Sequence, residues 1–212
     1  MKKLRLKKEI KRGIVGISLL TIMFASVTLL NNDNKRVQNN QRFTYVNDYI
    51  FDSYYPVVNN DEKVIRPYNS TEVSIYKKFY DKDSSIEEQQ NSIIYHENIY
   101  MQNSGIDYKS DNEFDIISSL SGTVTNVVDD PLLGKTIEVR NSTELIITYQ
   151  SLKEVLVKKG DVITQGQIIG KSGTCEINSE VKNGLHVEMY KNGSVINPEK
   201  YYGKSIKELS SE

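Results

Sequence analysis

The chain has one cysteine, no tryptophan, two histidines and four prolines in 212 residues. The single Cys175 excludes an intramolecular disulfide framework and a zinc site built on several thiolates. Two histidines, His96 and His186, leave little room for chemistry that needs a cluster of imidazoles. Net charge is scarce as well: 27 basic against 28 acidic side chains give −1. That removes the usual electrostatic reason to expect nucleic-acid binding. With 38% hydrophobic and 26% charged residues, a wholly disordered chain is excluded, and a polytopic membrane protein is argued against.

The charge that is present is unevenly placed. Residues 1–12 carry seven basic side chains and one acid, Glu9. Residues 13–30, GIVGISLLTIMFASVTLL, carry none. Residues 31–212 hold 20 basic and 27 acidic groups, a net of −7. An uncharged stretch of that length rises roughly 27 Å as a helix, near the thickness of the bilayer's hydrocarbon layer. A basic flank before it and an acidic portion after it predict an N-inside, C-outside single-pass anchor. The competing reading, a cleaved signal peptide, lacks small residues at the cleavage positions: cutting after Ala25 or Ser26 leaves Met23 or Phe24 three residues before the cut.

The reading divides the chain into a cytoplasmic basic tail 1–12, an anchor 13–30, an extracytoplasmic spacer 31–62, a β domain 63–203 and a tail 204–212. The spacer is rich in Asn, Asp, Gln and Tyr, with a short helix suggested by Phe43, Val46 and Ile50. From Val64 onward the pattern turns to short strands. Those expected are Val73–Tyr80, Ser92–His96, Phe114–Ile117, Gly122–Val128, Thr136–Arg140, Leu145–Tyr149, Gln167–Ile169 and Leu185–Tyr190. Gly, Asn and Asp turns separate them, including Lys159-Gly160-Asp161 and the hairpin signal Asn192-Gly193. Ser84-x-x-Glu87 offers a weak cap for one helical turn. The expected class is mainly β, a barrel or sandwich. Sequons at Asn69, Asn141 and Asn192 need no glycan to explain them, and Cys175 reads as an unpaired loop thiol.

Five segments carry the chemistry. They are Asn103-Ser104-Gly105-Ile106-Asp107, Ser121-Gly122-Thr123-Val124, Tyr149-Gln150-Ser151-Leu152, the stretch from Val157 to Gly170 (VKKGDVITQGQIIG) and Gly184-Leu185-His186-Val187-Glu188. In this order they resemble the LytM-type domain of peptidase family M23, from about Val64 to Tyr202. The resemblance implies a zinc endopeptidase fold whose active members read H-x-G-x-D, Y-x-H-L and H-L-H-x-E. Carried over position by position, the first zinc His falls on Asn103, the zinc Asp on Asp107 and the second zinc His on His186. The two catalytic His fall on Ser151 and Gly184. Three of five positions have lost their chemistry. Asn is a poor zinc ligand, Ser cannot buffer a proton near neutrality, and Gly has no side chain. The expectation is a pseudoenzyme: no catalytic residue, no cofactor, no zinc, with Asn103, Asp107 and His186 vestigial.

Anchor, polar spacer and one degenerate LytM-like domain together are similar to a sporulation branch of the family. That likeness implies a forespore-membrane anchor and an outside domain in the intermembrane space. The domain would pair there with stage III sporulation protein AH, supporting engulfment and a channel between forespore and mother cell. Membrane and channel components would be its other partners, and nucleic acid would not. Two other readings remain open. One is an active zinc peptidoglycan endopeptidase, with His96 as replacement ligand. The other is a lipoyl-like module of a membrane fusion (adaptor) protein.

Overall fold

The computed structural model describes residues 61–141 and 145–211. The expected tail 1–12, anchor 13–30 and nearly all of the spacer 31–62 lie outside the described residues. Among those described, no helix is long and apolar enough to cross a membrane.

Twelve strands dominate: β1 Ser74–Lys77, β2 Ile93–His96, β3 Ile99–Gln102, β4 Ile106–Lys109, β5 Asp115–Ile117 and β6 Gly122–Asp130, then β7 Gly134–Arg140, β8 Leu145–Val155, β9 Val162–Ile163, β10 Ile168–Ser172, β11 Gly184–Lys191 and β12 Ser194–Ile196. Two short helices, α1 Ile86–Asn91 and α2 Ile206–Ser211, and a 3-10 turn at Pro198–Lys200 complete the set. Ten strands form one antiparallel sheet whose main path runs β1-β4-β11-β8-β7-β6-β9. β10 bridges β5 and β8, and β12 pairs the far end of β11. β2 and β3 form a separate hairpin.

The mainly β class holds, and of the barrel or sandwich expected, the sheet is not a closed barrel. The described strands run as an open path from β1 to β9, which do not pair. Several strand limits also differ. β1 is half as long as expected, because the backbone leaves the sheet before Phe79 and Tyr80. β8 runs on through Val155, six residues beyond the expected end. The helix cap sits one residue later than read, with the Ser85 hydroxyl accepting from Glu88 N. The Asn192-Gly193 turn has positive φ at both residues, 50° and 74°, as a tight two-residue hairpin requires.

Alternation explains the core. On one face of the central strands, Tyr108 lies opposite Leu185, Ile106 opposite Val187, and Val187 opposite Tyr149. These residues are essentially inaccessible, with Ile137, Val139, Ile147 and Met189 beside them. Each such side chain contributes about 1.5–3 kcal/mol through burial. Because side chains alternate, Asp107, His186, Glu188 and Gln150 must lie on the other face. A one-residue register slip would exchange the two sets, so the core specifies where the polar cluster stands.

The C-terminal segment is part of this core. Ile206 and Leu209 are buried in it, whereas residues 204–212 read as a tail. Backbone bonds Val64 N to Lys204 O (2.9 Å), Gly203 N to Val64 O (2.8 Å) and Ile206 N to Glu62 O (3.0 Å) tie the domain's first residues to this segment. Arg66 grips Glu199 with two bonds of 2.5 and 2.7 Å and lies over the Tyr202 ring.

Candidate functional site

Sheet register builds the site. His186 on β11 lies directly opposite Asp107 on β4 and opposite Gln150 on β8. Directly opposed residues on neighbouring strands share a face, so the three converge without any loop. His186 Nδ1 stands 2.9 Å from Asp107 Oδ1. Asn103 Nδ2 donates to Asp107 Oδ2 at 3.0 Å and to the Lys78 carbonyl at 3.0 Å. Asn178, from the loop before β11, donates to Asp107 Oδ1 at 3.1 Å. One buried carboxylate therefore accepts from three side chains.

Glu188 closes the other side of the imidazole. Its Oε1 lies 3.5 Å from His186 Nε2. Tyr190 Oη and Gln150 Nε2 donate to its Oε2 at 2.7 and 3.3 Å, and Ser104 Oγ donates to Oε1. Burial alone would drive the His186 proton off. The charges of Asp107 and Glu188, with their hydrogen bonds, reverse that and raise its pKa to about 10. Burial pushes the Glu188 carboxyl up, and the His186 charge with the Ser104 and Tyr190 bonds overrides it, down to about 2. His186 is thus buried between two carboxylates that favour its charged form.

The geometry sets a pH profile. A raised imidazole stabilises the fold fully below its ordinary 6.5 and loses that contribution as pH climbs toward about 10. A depressed carboxyl stabilises fully above its ordinary 4.5 and loses that as pH falls toward about 2. The cluster's contribution is therefore greatest between those two ordinary values. Urea unfolding measured across pH should show a decline on both sides of the window, and Glu188→Gln should flatten the acid side. A profile unchanged by that substitution would contradict the pairing.

Gly105 is fixed by close approach. A Cβ there would stand 2.3 Å from the Val187 carbonyl oxygen and 2.7 Å from His186 Nε2. The Gly of the Asn-Ser-Gly-Ile-Asp segment is thus dictated by the site's backbone, whatever occupies position 103.

The remaining expected positions lie nearby but contribute no acid, base or ligand. Ser151 has φ 67°, a left-handed kink inside β8, and its N–H donates to the Leu133 carbonyl at 2.9 Å. It lines a small cleft with Asp107, Gly173, Cys175, Val181 and Gly184. A Cβ on Gly184 would meet Val181 Cγ1 at 2.7 Å, so Val181 fills the space a larger residue would use. His96 is elsewhere, on the separate β2–β3 hairpin.

These residues do not fit a zinc ion. A catalytic zinc takes three protein ligands, and of the three expected positions only Asp107 and His186 carry ligand side chains, while position 103 carries a neutral amide. Asn103 turns its amide nitrogen, a donor, toward the Asp107 oxygen that a metal would need. Among the described residues no group of three His, Cys, Asp or Glu is arranged to hold a metal. Sequence reading gave no role to Glu188, Asn178, Ser104 or Gln150. Glu188 was visible as the last letter of L-H-V-E. Asn178 had no signal, since a loop residue reaches Asp107 only through tertiary packing.

Residues 101–198 match peptidase family M23. Stage II sporulation protein Q of Bacillus subtilis (strain 168) is 34% identical over 181 residues, covering 84% of this chain. The chain spans 60% of the length of that relative. A chain in the structure of the SpoIIQ–SpoIIIAH pore-forming complex is 37% identical, with a TM-score of 0.68, over 71% of this chain and 97% of that one. A chain in a crystal structure of the SpoIIIAH and SpoIIQ complex is 39% identical, with a TM-score of 0.63, over 66% of this chain and 99% of that one.

Proposed function

The chain belongs to the stage II sporulation protein Q family within the M23-like fold, and on that premise we propose that it is a membrane-anchored, catalytically silent interaction protein of sporulation. Its β domain pairs across the intermembrane space with the outside domain of stage III sporulation protein AH. The pair supports engulfment and a channel between forespore and mother cell. The anchor is the uncharged stretch 13–30, with the basic tail 1–12 in the forespore cytoplasm. Near-facing anchors in two membranes turn a modest contact into a strong one through effective concentration.

The observation that carries the silent half of this reading is the set Asn103, Ser151 and Gly184, which stand where active members of the fold carry histidine. A peptidase of this fold needs a metal-activated water and residues that move protons around it. Here Asn103 donates to Asp107 and to the Lys78 carbonyl, and so completes a hydrogen-bond network in place of a ligand set. What M23 enzymes use to hold a metal serves here to join β4, β8 and β11.

Zinc content and peptidoglycan digestion of the purified protein test that half. The expected result is less than one-tenth equivalent of zinc after dialysis and no solubilised wall. Stoichiometric zinc together with wall cleavage would establish the endopeptidase reading instead. The lipoyl-like reading is disfavoured by the family match and by β11, which carries L-H-V-E through the centre of the sheet.

A further inference from the structure

Residues 174–183 join β10 to β11 and lie against the Asp107–His186 cluster. The neck of this loop is pinched shut. Gly173 N donates to Gly184 O at 3.0 Å, and Gly184 N donates to Gly173 O at 2.6 Å. A Cβ on Gly173 would stand 2.5 Å from Lys153 N and 2.8 Å from Ser151 O, so the neck is pressed onto β8. A surface loop of this length with joined ends is an Ω-loop, a compact unit packed by its own side chains.

Further contacts hold the loop down. Asn178 Nδ2 donates to Asp107 Oδ1 at 3.1 Å. Ile177 N donates to Leu132 O at 3.3 Å, and Asn183 Nδ2 donates to Asp111 O at 2.9 Å. Tyr76 Oη, on β1, donates to Glu180 Oε1. The loop also fills the cleft it covers: Thr174, Cys175, Asn178 and Val181 line it together with Asp107 and Ser151. The space left is about 10 Å³, room for no more than about one water molecule.

Both oxygens of Asp107 are therefore taken, from two separate parts of the chain. Asn103 donates to Oδ2 and Asn178 to Oδ1. Replacing Asn103 frees Oδ2 alone. Oδ1, the oxygen beside His186 Nδ1, keeps its amide donor. A cation shared by Asp107 and His186 still meets Asn178 there. The missing ligand at position 103 is one obstacle to a metal ion, and the loop is a second.

We propose that the 174–183 loop is a built-in plug over the Asp107–His186 cleft, latched by Asn178, which keeps divalent metal out even when a histidine stands at position 103. The inference deepens the silent reading above and rests on it.

Zinc titration of the full chain in detergent, in competition with a chromophoric chelator, tests this on the parent, on Asn103→His, and on Asn103→His combined with Asn178→Ala. The parent should bind no zinc. A hydrogen bond to a charged acceptor is worth a factor of about ten or more, so the double variant should bind about tenfold tighter than Asn103→His alone. A second measurement needs no new histidine. The half-buried Cys175 on the loop reports its opening through alkylation by iodoacetamide, in which the thiolate displaces iodide. Asn178→Ala alone should speed that reaction about tenfold while the domain still melts cooperatively. If Asn103→His binds zinc as tightly as the double variant, the plug is overturned while the silent reading stands. If neither histidine variant binds zinc, something other than the loop excludes the metal, and the proposal is overturned. Should the histidine variants fail to fold, the alkylation rate decides, and a rate unchanged by Asn178→Ala overturns the plug. Stoichiometric zinc in the parent would overturn the silent reading and the plug with it.

Discussion

Asp107→Ala should remove about 3–5 kcal/mol of folding stability, the range for breaking a buried charge pair from one side. The substitution takes the Asp107 acceptor from the buried Asn103 Nδ2, which keeps only the Lys78 carbonyl, from the Nδ1 proton of His186 and from the half-buried Asn178 Nδ2. It also leaves the His186 charge with Glu188 alone, whose nearer oxygen is 3.5 Å away. Urea unfolding near pH 5.5, inside the window where the cluster contributes most, gives the largest difference. Asp107→Asn keeps one acceptor and the shape, so its loss should be smaller. A loss below about 1 kcal/mol for Asp107→Ala would mean the network is not buried as described.

Gly105→Ala should cost about 3 kcal/mol for a purely steric reason. The added methyl meets the Val187 carbonyl at 2.3 Å, and Val187 is fully buried at the centre of the sheet. That oxygen cannot retreat without disturbing β11 against both β4 and β8. Its other neighbour is the His186 ring at 2.7 Å, already held by two carboxylates. Overpacking a well-ordered interior costs about 1–3 kcal/mol and occasionally more, and a clash with backbone on one side and a fixed charge on the other belongs at the upper end. Gly160→Ala makes the control. Its φ of 92° strains an alanine, but nothing lies within 4 Å of the added methyl. It should lose only about 1 kcal/mol. Equal losses at the two glycines would show that backbone conformation, and not the close approach, fixes position 105.

Much of this architecture was legible because β patterning and motif spacing are local. The alternation in Leu185 to Met189, with Leu, Val and Met inward and His186 and Glu188 outward, states both the strand and its two faces. Asn192-Gly193 states its turn. The strands that escaped notice did so for physical reasons. Ile99–Gln102 is four residues with no charge and weak alternation, and it is recognisable only from its pairing with Ile93–His96. Val162–Ile163 is two residues long and exists as a strand only through its contact with β6. The helix at Ile206–Ser211 read as polar tail because its two apolar residues, Ile206 and Leu209, are too few to show a period, although both are buried.

The site divides in the same way. Spacing against the M23 pattern located Asn103, Asp107, Ser151, Gly184 and His186, and the structure brings Asn103, Asp107 and His186 into direct contact. The departures from that pattern at Asn103, Ser151 and Gly184 were readable as departures. The network around them was not. Glu188 became a partner of His186 through the two-residue period of β11, and Asn178 arrived from a loop with no pattern of its own. The consequence, an imidazole held between two carboxylates that favour its charged form, depends on distances that no spacing conveys.

The most direct test of the account is calorimetric titration of the protein with the outside domain of stage III sporulation protein AH, carried out with and without excess EDTA. A domain whose Asp107–His186 cluster is a self-sufficient hydrogen-bond network should bind with the same affinity in both conditions. No binding, or binding abolished by the chelator and restored by zinc, would contradict it.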